Sequence, residues 1–463
     1  MSIDSYREIT ASQLPALRLL MSMGWQYLTP SEALALRGGK RSAIILDGIL
    51  LDWLRSHNLI HYQGREITFS ESNLTLAVNK LRDGVQVRRG LIPASMQAYD
   101  LLTLPISLEQ TIDGDKRSFD LYYIDWQHPE NNVYHVTDEF EVERETSAQT
   151  RRPDIVLFVN GIPLAVVECK RSDLTTSKGE RAVFQAVEQM LRNQGREEIP
   201  QLFAYAQLLM AVSPHDMLYG ATGASKSYWS EWREEDDTAP LSDGLLSPLI
   251  NRPLTTDEAR RLYDWRDDAY RIRQHFDPSI QWTPTAQDRG IYALLRPARL
   301  LDLAYGFIVF DEGVKKIARY QQYFAIKAAI ERVTHFDAGG ARAGGVIWHT
   351  TGSGKSLTMV MLAKALALHP AIPNPRVVIV TDRVDLDEQI WRTFHNCGKK
   401  VFQAQSGAHL LELVRDDHAD IITTVIDKFE TAARRKEAND GCDIFVLVDE
   451  SHRGQSPLGL NHQ

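Results

Sequence analysis

Cysteine is scarce in this 463-residue chain, and Cys169, Cys397 and Cys442 are odd in number and far apart. That spacing suits neither a disulfide framework nor a zinc knuckle and leaves three reduced fillers. Long apolar runs are missing as well. The best early stretch, IILDGILLDWL, is broken by Asp47 and Asp52, so no segment reaches membrane-spanning length and no membrane partner is expected. Asp4, Arg7 and Glu8 interrupt the N-terminus before any apolar core begins, which argues against a cleavable signal and makes the cytoplasm the default expectation. There is no excess of positive charge either, since 52 Lys and Arg stand against 61 Asp and Glu for a net charge of −9. That excludes a uniformly basic surface but not a local groove for phosphates. Repeats and low-complexity tracts are absent, and 43% hydrophobic with 24% charged residues is ordinary for a soluble protein.

What is present divides the chain into parts, and the length prior gives about three domains. The first hundred residues carry amphipathic helix signals such as SQLPALRLLMSMGWQYL but no legible chemistry. From about Phe140 to Val212 an apolar hairpin, the helix RAVFQAVEQMLRN and another apolar run form an α/β pattern. The acidic, turn-rich WREEDDTAPLSDG then reads as a solvated connection, followed by Arg- and Trp-rich helical segments with no assignable role. After Phe310 the pattern alternates: the helix KKIARYQQYFAIKAAIERV, then the strands GGVIWHT, RVVIVTD, DIITTVI and IFVLVDE with helices between them. Alternation of helices with fully apolar strands implies a parallel sheet covered on both faces. The expected boundaries are 1–228, 229–305 and 306–463.

Within the last part, HTTGSGKSLTMVMLAKAL follows an apolar strand and opens a helix, the setting that a phosphate-binding loop needs. Gly352 and Gly354 let backbone N–H groups turn toward phosphate oxygens while the helix directs its positive end at them. Lys355 is expected to contact the β- and γ-phosphates and Ser356 to ligate Mg²⁺. His349 stands where the full pattern has its first glycine. The strand IFVLV ends in DESH, where Asp449 would hold Mg²⁺ and Glu450 would polarise the attacking water. The order of elements resembles superfamily 2 helicases: TTGSGKS (Thr351, Gly352, Ser353, Gly354, Lys355, Ser356) is like motif I, TDRVDLDEQ like motif Ia, TTVIDKF like the segment called Ib or Ic, and DESHR like motif II. The resemblance implies an adenine-reading glutamine upstream, for which Gln322 fits, with Gln321 as the other register and a plain surface-helix glutamine as the bland alternative. It also implies a first RecA-like lobe whose partner lobe supplies an arginine finger. With no second lobe in these residues, the expectation is an N-terminal fragment that binds ATP weakly and hydrolyses it poorly.

The other chemical signal is RRPDIVLFVNGIPLAVVECKR, residues 151–171, two Val/Ile-rich runs joined by Asn160-Gly161. Charged groups at the ends of an apolar hairpin are costly unless paired or bound to a metal. Asp154 and Glu168 could share a divalent ion, with Lys170 on the face of Glu168. Such a metal activates water for phosphodiester hydrolysis, and a nearby cation stabilises the developing charge. A strict two-residue loop would pair Asp154 with Val167 and split the site across the sheet, so an odd loop or bulge at Asn160-Gly161 is expected. PD followed by ECK resembles the PD-(D/E)xK nucleases. That motif ahead of a superfamily 2 ATPase is similar to the R (restriction) subunit of type I restriction endonucleases, from about Phe140 onward and more weakly before it. The resemblance implies an α/β fold, a PD-(D/E)xK nuclease domain followed by a RecA-like parallel-sheet lobe. It further implies Mg²⁺-dependent cleavage of double-stranded DNA away from the recognition site after ATP-driven translocation, in a complex with methylation (M) and specificity (S) subunits. The family's QxxxY element maps to Gln189, with Asn193 replacing the Tyr, so only Gln189 carries over. Arg151, Arg152 and Arg171 are candidates for DNA phosphate contacts. Two other readings stay open, a helicase-like ATPase with a merely structural hairpin and a non-enzymatic arm that docks on a methyltransferase.

Overall fold

The structure is a computed structural model that describes residues 8–171, 181–234, 242–311, 313–336, 339–340, 342–350, 354–372, 375–381, 401–415, 420–433 and 443–449. The chain folds as two units, Met1–Tyr305 with Gly313–Ile317, and Gly306–Glu312 with Ala318–Gln463.

The first unit is built on a six-stranded sheet of β1 (Gln26–Leu28), β2 (Tyr134–Asp138), β3 (Ile155–Val159), β4 (Ile162–Cys169), β5 (Leu208–Ser213) and β6 (Asp216–Gly220), in that spatial order. β1 and β2 are parallel, as are β4 and β5, and the remaining neighbours are antiparallel. Every residue of β3 and β4 is buried, which explains why IVLFV and IPLAVVEC are continuously apolar instead of alternating. Helix α1 (Leu14–Ser22) follows a π-helical turn at Ile9–Gln13, and α2 (Ala182–Asn193) packs along β4 and β5. α2 buries Ala182, Val183, Ala186, Val187 and Met190, the single stripe that a 3.6-residue period produces. Residues 242–305 belong to this unit, and they include α3 (Thr256–Tyr263), α4 (Ala269–His275) and α5 (Ala286–Leu295). Glu234, at the edge of the acidic stretch, is not merely solvated, since it accepts hydrogen bonds from Arg296 and Arg299 at 2.7 Å.

The hairpin corrects the expectation about its turn. Asn160 and Gly161 both have positive φ, 51° and 81°, and Val159 pairs with Ile162, so this is a plain two-residue turn. The extra residue lies further along, where Pro163 pairs with Phe158 but Ala165 with Leu157, leaving Leu164 as a bulge. A break is tolerated there because Pro163 has no N–H to offer the ladder, and the Leu164 carbonyl accepts from Gln207 N at 2.7 Å instead. The turn itself has no room for a third residue. The Asn160 side chain accepts from Val133 N at 2.9 Å and donates to Tyr123 O at 3.0 Å, and Gly161 O accepts from Leu46 N at 2.8 Å.

The second unit holds a four-stranded, all-parallel sheet of β7 (Arg376–Thr381), β8 (Val401–Gln403), β9 (Ile421–Val425) and β10 (Ile444–Val448), in the order β8-β9-β7-β10. Val378, Val380, Ile422, Leu410 and Leu413 form part of its core, with α8 (Gly407–Arg415) covering the sheet. Helices α6 (Tyr320–Thr334), α7 (Lys355–Leu368) and α9 (Ile426–Ala433) belong to the same unit. Two expectations change. The residues KKI form a strand, Val314–Ile317, and the helix starts only at Tyr320, where extended Arg319 is capped by Gln322. The run GGVIWHT forms no strand, and Val346 and Trp348 are 81% and 90% exposed. Its beginning is held instead by Arg332, which donates to Gly344 O at 2.6 Å, and by Arg342, which bonds Val333 O and Asp443.

A Cβ added at Gly161 would lie 2.6 Å from Leu46 O at a φ that L residues rarely adopt. Gly161→Ala is therefore expected to destabilise the first unit by about 2–4 kcal/mol in urea unfolding. A change below roughly 0.5 kcal/mol, the level of an ordinary surface substitution, would show that the turn is not locked.

Candidate active site

The ladder ends with Ile155 opposite Val167, and the same register carried one residue further brings Asp154 opposite Glu168. Leu164 thus does what a longer turn was expected to do, placing Asp154, Glu168 and Lys170 on one face by a one-residue shift within β4. The three side chains meet at the outer end of the hairpin. Lys170 Nζ is 3.1 Å from Glu168 Oε1 and 3.9 Å from Asp154 Oδ2, and it also donates to Cys169 O at 2.9 Å. Asp154 Oδ2 accepts from Cys169 N at 2.7 Å, which fixes the carboxylate against the strand end. Lys170 N continues the parallel pairing by donating to Val212 O at 2.9 Å.

A fourth charged residue joins them that the spacing in the sequence did not reveal. Glu8, just before the π-helical turn, places Oε1 3.4 Å from Lys170 Nζ. Gln13, from the end of that turn, donates to the Asp154 backbone carbonyl at 3.2 Å and to Asp138 Oδ2 at 3.3 Å. The N-terminal region expected to carry no chemistry therefore supplies one wall of the site. Its only sequence signal was an acid at the head of an amphipathic stretch, which has no motif partner.

Burial decides the electrostatics. The Glu168 side chain is 1% exposed, Lys170 10% and Asp154 14%. Desolvation, reinforced by the neighbouring Glu168, pushes the Asp154 carboxyl well above the usual carboxylate range. Desolvation also raises Glu168, with Lys170 opposing it. For Lys170 burial works to lower the pKa, but Glu168, Asp154 and Glu8 together outweigh it and the ammonium is held more tightly than usual. Cys169, buried between them in sequence, is a thiol pushed up by desolvation, hence an inert filler.

Fit to a metal ion rests on two oxygens. Glu168 Oε2 is buried and accepts no hydrogen bond, and Asp154 keeps a partly open carboxylate beside it. Among the described residues no group of three or more His, Cys, Asp or Glu is disposed to hold an ion, so further ligands would come from water and substrate. The remaining expected residues are placed less directly. Gln189 is half-buried on α2, and among the described residues no hydrogen bond ties it to the cluster. Arg151 is engaged by Glu198, with a 2.9 Å contact from Nη2 to Oε1, and Arg152 lies 3.4 Å from Glu139. Arg171 sits at the edge of a neighbouring cavity.

In the second unit Gly354, with φ of 87°, is the N-cap of α7, so Lys355 and Ser356 open that helix, half-buried. Gln322 is buried, its Oε1 accepting from Arg319 N at 2.9 Å and its Nε2 donating to Gly354 O at 3.1 Å. Its amide is thus spent on the loop and the cap, whereas Gln321 is exposed. Asp449 follows β10, its N–H bonded to Val380 O at 2.9 Å. Thr351, Gly352, Ser353 and Glu450, together with most of the motif Ia and DESHR stretches, Cys397 and Cys442, lie outside the described residues.

Comparison with known families agrees with this division. Residues 5–228 match the family described as the type I restriction enzyme R protein N terminus, and residues 321–461 match the SWI2/SNF2 ATPase family. Fold and matches together define an α/β protein that joins an R-protein N-terminal domain to a SNF2-type ATPase region. Across both parts the chain is similar to the R subunits of type I restriction enzymes. It is 28% identical over 365 residues to the MjaIXP type I restriction enzyme endonuclease subunit of Methanocaldococcus jannaschii, covering 77% of this chain and 32% of the relative. Against the type I restriction enzyme HindI endonuclease subunit of Haemophilus influenzae it is 29% identical over 380 residues, 79% of this chain and 32% of the other. The chain thus spans about a third of the length of these curated relatives. No helix among the described residues is long and apolar enough to cross a membrane.

Because both carboxyl groups titrate above their unfolded values, the fold favours their protonated forms. The cluster therefore costs stability as pH rises from the ordinary carboxylate range through the raised values, and Lys170 offsets that cost. Lys170→Met is expected to lose about 3 kcal/mol near pH 8 and much less near pH 5, where the carboxyls take up protons. Urea midpoints at both values test this, and a loss independent of pH would contradict it.

Proposed function

We propose that this chain carries the endonuclease centre and part of the ATP-driven motor of a type I restriction-modification complex, cutting unmodified double-stranded DNA away from the recognition site. The observation that carries the reading is the convergence of Asp154, Glu168 and Lys170 at the strand ends, reached through the Leu164 bulge. A hairpin needing only a core would have no reason to bury two carboxylates and an ammonium side by side. The M and S subunits are the proposed partners, with sequence recognition residing outside this chain.

Asp154 and Glu168 would hold Mg²⁺, through Oδ and the unpartnered Oε2, and the ion would supply activation of water and neutralisation of phosphate charge. Lys170 stays protonated at neutral pH, so it acts as a fixed cation beside the scissile phosphate and not as the base. Glu8 and Cys169 O hold that ammonium in place between the carboxylates. Gln189 is proposed as a further DNA-facing residue of α2. In the second unit, Lys355 is assigned to the ATP phosphates, Ser356 and Asp449 to the nucleotide's Mg²⁺, Glu450 to the attacking water, and Thr351 through Gly354 to the phosphate loop. Gln322 would position this loop through Gly354 O.

The test is cleavage of circular duplex DNA by the full complex, assembled with M and S subunits. Asp154→Ala is expected to reduce cutting by at least about a hundredfold while ATP hydrolysis persists. Undiminished cutting by that variant would remove the hairpin from the reaction and favour the helicase-like alternative.

A further inference from the structure

Beside the acidic cluster the first unit contains a cavity of about 470 Å³ at the C-terminal ends of the parallel strands β4 and β5. Arg171, directly after Lys170, and Pro214, directly after β5, line it, as do Arg18 of α1 and a wall of residues around the end of α4 and the start of α5. This is where α/β sheets bind ligands, and the volume is in the range of small-molecule pockets. The wall comes from the Arg- and Trp-rich segment whose role the sequence left open.

We propose that this cavity holds an unpaired nucleotide of the DNA strand that runs through the neighbouring nuclease centre, a reading that rests on that centre acting on DNA. Three aromatic rings meet there: His275 to Phe276 at 4.9 Å, His275 to Trp282 at 5.4 Å, and Phe276 to Trp282 at 5.7 Å between centroids. Phe276 is buried, whereas Trp282 is half-buried. The Trp282 backbone is clamped on both sides by Asn251, which accepts from its N–H at 2.8 Å and donates to its carbonyl at 2.9 Å. A ring held this way is a preformed surface for a base, and its indole N–H has no hydrogen-bond partner among the described residues.

Charge selects a nucleotide over a plain aromatic ligand. The Arg18 guanidinium lies 5.1 Å over Phe276 and donates to Tyr263 OH at 2.9 Å, and no carboxylate among the described residues pairs with it. Arg171 also lines the cavity. The acid that lines the cavity, Asp288, has its carboxylate turned back onto Thr285 N and Oγ1 at 2.9 and 2.7 Å, so it closes a helix cap. A base on the rings and a phosphate on the guanidinium groups satisfy both halves of the pocket. Stacked, paired bases cannot enter such a recess, so the ligand must be an unpaired nucleotide.

Binding of fluorescein-labelled oligothymidylate, followed by anisotropy in EDTA, tests this without any requirement for cleavage. Trp282→Ala is expected to bind about tenfold more weakly than wild type, and Trp282→Phe close to wild type. Arg171→Gln is a second variant, outside the aromatic packing, that should also weaken binding. Equal affinity of Trp282→Ala and wild type would overturn the proposal, as would competition by free thymidine monophosphate as effective as by the oligomer, or an equal loss on blunt duplex. Trp282-dependent strand binding by a protein whose complex cuts nothing would preserve this pocket and refute the nuclease reading.

Discussion

Everything at this site depends on one electrostatic constraint, the placing of two carboxylates side by side in a desolvated strand end. Both lose hydration, and the charge of Glu168 adds to that cost at Asp154, so both carboxyls are raised and Asp154 the more strongly. Lys170 is what makes the ionised pair tolerable, and Glu8 and the Cys169 carbonyl keep its ammonium there. A purely structural hairpin would be more stable with apolar groups in these places. The arrangement is a local sacrifice of stability, consistent with the chemistry proposed for this site.

The rest of the first unit is arranged to hold that strand end still. The Asn160-Gly161 turn is fixed by hydrogen bonds to three separate segments, and the Leu164 bulge sets the register. On the neighbouring strand, Asp138 is a buried anchor that accepts from Tyr27 OH at 2.7 Å and pairs with Arg266 of the segment after α3. Gln13 bridges this anchor to the Asp154 backbone, so the N-terminal turn, β2 and the segment around Arg266 all converge on the same few atoms. This explains why residues with no motif signature of their own, near the start of the chain and beyond residue 250, form part of the surroundings of the candidate centre.

The legible parts of the sequence were those with a period or a short motif. The apolar hairpin with its charged ends, the helix at residues 182–193, and the parallel strands around Val378, Ile422 and Phe445 all followed from apolar runs and turn residues. The position of the bulge did not, because β3 and β4 are buried on both faces and a strand without alternation carries no register signal. Glu8 was hidden because a single acid has no spacing partner, and Arg151 looked available until the fold delivered Glu198 to it. GGVIWHT has the composition of a core strand, but a strand also needs a neighbour, and here Arg332 and Arg342 hold its start elsewhere.

The most direct test of the central claim is Mn²⁺ binding to the nucleotide-free protein by calorimetry, comparing wild type with Asp154→Asn and Glu168→Gln. A metal shared between the two carboxylates predicts one site that is lost in each single variant, while an Asp154→Asn or Glu168→Gln protein that retains it at wild-type affinity would contradict the account.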